Sequence, residues 1–163
     1  MKRVSRLFGL SAFALSLCAI TSNAAWAADA MADMTFINPG EMKWGDVPPV
    51  LPKGGKIAVL AGDPFKAGPY VMRLMMPAGY KIAPHWHTLA ENLTVISGSF
   101  TLYSGDTMDP ANAHVLQPGG FHHLPAKAHH AASTKSRTIL QIHGEGPFDI
   151  TYLNPADDPS KAK

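Results

Sequence analysis

All eight histidines of the 163-residue chain fall between positions 85 and 143, and His85 and His87 are separated by a single residue. Histidine is the commonest metal ligand among side chains. On a helix, residues two apart point to nearly opposite sides. On a strand they share a face, ~6.6 Å apart along the chain. Two imidazoles on that face can bend toward one ion with bonds of ~2.1 Å. Glu91 has the same parity and joins them if the strand continues or turns gently. Two histidines and a carboxylate form a facial set that leaves positions open on a metal such as iron. The competing reading is an exposed strand with incidental histidines. Gly79 and Pro84, just ahead of the pair, favour a defined turn into the strand.

The remaining histidines are less determined. His129 and His130 are adjacent, and neighbours on a strand face opposite ways, so at most one can serve an interior ion. Parity does not choose between them, because Ala131 and Ala132 are equally small. One of His122 and His123 faces inward, and again the pattern leaves both open. His143 closes the last apolar run within reach of a pocket. His123, His129 and His143 are therefore carried as candidates to hydrogen-bond a metal ligand or to move a proton beside it. Arg73 interrupts an apolar run and either meets an anionic substrate or points outward. Met72, Met75 and Met76 lie in the same run, where methionine usually fills a core. No further catalytic residue can be assigned from the sequence.

The elements that must position these side chains read as short strands. Ile57–Leu60, Tyr70–Met76, Leu93–Ile96, Phe100–Tyr103, His114–Leu116, Gly120–Leu124, His129–Ser133 and Thr138–His143 are apolar runs set between turn signals. Such spacing predicts an all-β sandwich or barrel. No segment holds the 3.6-residue period of a long helix. Residues 28–55, broken by Pro39, Pro48, Pro49, Pro52 and neighbouring glycines, are expected to form an irregular lead-in. The barrel is expected over 56–146. Residues 147–163, rich in Pro and Asp, are expected to wrap the surface or fray as a tail.

The beginning of the chain has a different character. Lys2, Arg3 and Arg6 precede an apolar run from Leu7 to Ile20, and Ala25-Trp26-Ala27 offers small residues for cleavage. This is the layout of a secretory signal peptide over residues 1–27, and it predicts export, to a bacterial periplasm. The apolar run is shorter than the ~20 residues that span a bilayer, so no stable membrane anchor is expected. Leu17 before Cys18 argues against a lipid anchor there. Removing the signal takes away three of the 14 Lys and Arg, which leaves 11 against 12 Asp and Glu, about −1 overall. No cluster of Lys and Arg remains to suggest nucleic acid. The single cysteine leaves with the signal, so a hydrophobic core must stabilise the fold without a disulfide.

Taken together, Gly79, five residues, His85, one residue, His87, three residues, Glu91, six residues and Gly98 resemble the first sequence motif of the cupins at every fixed position. After a gap of 20 residues, Gly119, Pro125 and His130 resemble the second motif. Lys127 stands where the family usually has glycine, and Thr134 where it usually has asparagine. The resemblance spans about residues 56–143 and is to small exported single-domain cupins. It implies a double-stranded β-helix, or jelly-roll barrel. It implies one divalent transition metal, drawn from Fe, Mn, Ni, Zn and Cu, on His85, His87, Glu91 and His130. The second motif puts its histidine five residues after the proline, which selects His130 over His129. A small-molecule ligand or substrate follows, and small cupins often form homodimers. The resemblance leaves two function classes open: a metal-dependent enzyme (oxygenase, isomerase or lyase), or a non-catalytic metal-binding, ligand-binding or sensory domain.

Overall fold

The computed structural model describes residues 34–161. The expected signal, residues 1–27, lies outside the described residues. From Thr35 onward the chain is one compact unit built on strands. They are β1 (Gly45–Asp46), β2 (Lys56–Ala61), β3 (Gly68–Met76), β4 (Lys81–Trp86), β5 (Glu91–Ser97), β6 (Phe100–Ser104), β7 (Ala113–Leu116), β8 (Phe121–Leu124), β9 (His130–Thr134), β10 (Thr138–Gly146) and β11 (Thr151–Tyr152). Helical structure among the described residues is limited to single 3-10 turns, each opened by a proline.

Two antiparallel sheets result. One has six strands in the order β1-β2-β3-β10-β5-β8, and the other has five in the order β11-β4-β9-β6-β7. This is the jelly-roll architecture, with the two inner faces enclosing one core. Period-two alternation builds that core directly. On β3, Tyr70, Met72, Leu74 and Met76 are buried while the residues between them are not. On β10, Leu140 and Ile142 take the same face. Each large apolar side chain removed from water contributes roughly 1.5–3 kcal/mol. Met72 and Met76 are thus core residues, whereas Arg73 points away and donates to Gln141 Oε1 at 3.3 Å.

The motif residues outside the ligand set shape turns. Gly98, between β5 and β6, has φ +83°, and a Cβ there would lie 2.4 Å from the Arg137 carbonyl oxygen. No other residue fits. Lys127 keeps a left-handed backbone, φ +62°, where glycine would be free of strain. Its N–H donates to the His87 carbonyl at 2.9 Å, which ties the approach to β9 onto the end of β4. Thr134 donates to the Pro77 carbonyl at 2.6 Å and secures the turn into β4.

Two expectations are corrected at the ends of the barrel. The lead-in carries β1, which pairs with β2, and Leu51 from it is buried in the core. The segment after Gly146 neither frays nor merely wraps the surface. Thr151 and Tyr152 pair with Trp86 and His85, Tyr152 is buried, and its hydroxyl donates to the Val50 carbonyl at 2.8 Å. Phe148, Ile150 and Tyr152 repeat an alternation that the flanking prolines and aspartates obscure in the sequence.

Candidate metal centre

The register of β4 against β9 sets His85 directly opposite His130. Paired residues of an antiparallel ladder share a face, so both rings enter the barrel, with centroids 4.1 Å apart. His87 follows β4 on the same face, with its ring 5.0 Å from each of the other two. All three are buried, and their candidate ligand nitrogens lie within 4.8 Å of one another. Glu91 opens β5 in the opposite sheet and is also buried, its Oε2 3.9 Å from His87 Nε2. The three histidines form a candidate metal site, with Glu91 at its margin.

Backbone carbonyls orient every imidazole. His85 Nδ1 lies 2.7 Å from the Ala83 carbonyl, His130 Nδ1 3.0 Å from that of Ala128, and His87 Nδ1 2.5 Å from that of Asp149. A carbonyl only accepts, so each Nδ1 carries the proton and each Nε2 keeps a lone pair. This is the tautomer a metal-binding histidine needs, held by its outer hydrogen bond. Burial holds all three rings below the usual histidine range; neighbouring rings further depress His85 and His130, while the Asp149 carbonyl and charge oppose the shift at His87. His85 is lowered well below that range, by burial first and then by His130 and His87. His130 is brought to about 4, mainly by burial. Burial pushes the Glu91 carboxyl up to about 7, with His130 opposing the shift. Without a cation the site thus favours neutral groups. A divalent ion resolves this by making three lone pairs and a carboxylate favourable together. The residues present fit a metal.

Around the ligands the wall is apolar. Met72, Leu74, Phe100, Leu102, Phe148 and Ile150 are among the residues that line the cavity, and among the described residues no Lys or Arg does. The cavity is narrow, ≈ 30 Å³.

The other histidines are placed as follows. His129 is half-exposed, and its Nδ1 lies 2.7 Å from Asp106 Oδ1, outside the barrel. His123 also faces outward, 2.9 Å from Asn92 Oδ1. His143 lies between buried Ile142 and the outer surface, opposite Asn92. The inward residue of the 122–123 pair is His122, opposite Leu93, with its Nε2 buried and unpartnered among the described residues. Leu124, two residues on and buried, carried the parity signal for it. Asp149, whose carbonyl orients His87, was not legible at all.

Comparison with known proteins agrees with the architecture. The family model of the ChrR cupin-like domain matches residues 32–148. No curated protein matches the sequence. Among solved structures, the polyketide cyclase RemF from Streptomyces resistomycificus is similar at 16% identity, over 78% of this chain and 91% of that one, with a TM-score of 0.65. An RmlC-like cupin from Shewanella frigidimarina is similar at 18% identity, over 68% and 88%, with a TM-score of 0.54. KdgF from Halomonas sp. is similar at 20% identity, over 67% and 93%, with a TM-score of 0.51. At such identities the likeness shows the fold alone.

Proposed function

Because the chain belongs to the ChrR cupin-like family, we propose that it is an exported protein that holds one divalent transition metal on His85, His87, Glu91 and His130 and acts as an enzyme on a small molecule bound beside it. One observation carries the reading: three buried imidazoles, each with Nδ1 fixed to a carbonyl so that Nε2 keeps its lone pair, bring ligand nitrogens within 4.8 Å of one another. When bound, such a metal supplies Lewis acidity toward a substrate oxygen, or dioxygen chemistry if it is redox-active. The apolar wall excludes water and seats the hydrocarbon part of a ligand. Glu91 would complete the ligand set as a carboxylate, the charged form that burial disfavours until a cation is bound. Oxygenation, isomerisation and lyase chemistry are the reaction classes compatible with this arrangement.

The narrowness of the cavity favours a second reading, in which the protein holds its metal or a small ligand without turnover. Metal analysis of natively purified protein, followed by oxygen uptake with a panel of phenols and enols, separates the two. A redox metal with uptake supports oxygenation. Zinc with no turnover of any panel compound supports the binding reading. The ligand set has its own test. His130→Ala should lose most bound metal, as should His85→Ala, while His129→Ala should keep about one ion per chain. A filled site in His130→Ala and an empty one in His129→Ala would reject the assignment. Export rests on the basic, apolar and Ala-x-Ala start. The exported protein should have the mass of a chain beginning at Ala28, and retention of Met1 in that fraction would count against it.

A further inference from the structure

Two of the three histidines are oriented locally. His85 donates to a carbonyl two residues back on its own strand, and His130 to one two residues back in the turn before β9. His87 is different. Its partner, the Asp149 carbonyl, lies 62 residues further along the chain. That carbonyl is itself held by the Asp149 side chain, which returns to the residue beside His87. Thr88 N–H donates to Asp149 Oδ1 at 2.9 Å, and Thr88 Oγ1 donates to Oδ2 at 2.5 Å. The carboxylate and the carbonyl of one residue thus grip two consecutive residues, His87 and Thr88. On either side, Phe148 sets its ring 5.2 Å from that of His87, and β11 pairs with the His85 end of β4.

We infer that Asp149, clamped by Thr88, is the positioning residue of His87, so that the C-terminal segment sets the geometry of the metal site although it contributes no ligand. This rests on the metal reading of the site above. A histidine can rotate about its side-chain bonds, and His87 stands just past the end of β4, where no ladder restrains it. Loss of the clamp frees the Asp149 carbonyl to drift and the His87 ring to turn or change tautomer. Outer hydrogen-bond partners of metal-binding histidines typically affect metal affinity by about 10–100-fold.

The test compares Asp149→Ala, Asp149→Asn and Thr88→Val with wild type. Metal affinity is measured by chelator competition with Co(II), together with the visible spectrum of the Co(II) form and the melting temperature without metal. Wild-type protein that binds no Co(II) would remove the metal reading, and the inference with it. Given wild-type binding, Asp149→Ala should weaken affinity about 10–100-fold and alter the Co(II) spectrum. Asp149→Asn keeps an oxygen for Thr88 N–H and should stay within a few-fold of wild type. Thr88→Val, which removes only the hydroxyl donor, should fall between and serves if Asp149→Ala does not fold. In a His87→Ala background, Asp149→Ala should cost no further affinity, because the ring it positions is gone. Affinity unchanged in Asp149→Ala, or an equal loss with and without His87, would overturn the assignment while leaving the metal site standing.

Discussion

At the scale of single residues, the candidate site combines groups whose protonation preferences conflict until a cation is present. Glu91 is raised from 4.5 to about 7, so its favourable contribution is present below about pH 4.5 and is lost as pH rises through 7. His85, His87 and His130 are lowered from 6.5, so their contribution is present above about pH 6.5 and is lost as pH falls. Three groups oppose one below pH 6.5, and Glu91 acts alone above it. The metal-free protein should therefore be most stable near pH 6.5 and should melt at a lower temperature at pH 8. Glu91→Gln keeps the shape and removes the buried charge. Its metal-free form should lose the alkaline decline, while its metal affinity falls. Identical pH profiles for the two metal-free proteins would show that Glu91 is not the source.

At the scale of elements, strand parity explains what could and could not be read from the sequence. The spacing of His85 and His87 stated its face because residues two apart on a strand agree. The main barrel strands were legible from the same rule, as with Tyr70, Met72, Leu74 and Met76. For His129 and His130 the small alanines beyond them left parity silent, and the structure faces His129 toward Asp106 outside. The C-terminal strand was missed because Pro147, Pro155 and three nearby aspartates outweigh Phe148, Ile150 and Tyr152 in composition. Asp149 was out of reach in principle, since its contact with His87 uses a carbonyl that every residue has. The turn before β9 offers a separate test. Left-handed backbone costs an L-residue roughly 1–2 kcal/mol, partly offset by the extra freedom of glycine when unfolded. Lys127→Gly should stabilise the protein by about 0.5–1 kcal/mol, read as a small rise in melting temperature with metal content unchanged. A lower melting temperature would mean that the lysine side chain contributes more than its backbone strain removes.

At the scale of the whole molecule, the proposed ligand set draws on both layers. His85 and His130 belong to strands of the five-stranded sheet, and Glu91 to the six-stranded sheet. An ion held by both connects them across the core, where no disulfide does. Binding only to the folded state, a metal at a hundredfold excess over its Kd stabilises by about 2.7 kcal/mol. Metal-loaded protein should melt several degrees above the metal-free form, and a chelator should abolish the difference. Equal melting temperatures at full occupancy would argue against such a link. The tether between His87 and Asp149 also has a consequence in time. A ribosome working from the first residue has made His85, His87, Glu91 and His130 well before it reaches Asp149. A nascent or truncated chain ending short of that point holds every candidate ligand and lacks the group that aims one of them. On the proposed ligand set and tether, tight metal capture would belong to the finished chain, and the order of the residues themselves would disfavour premature loading during synthesis.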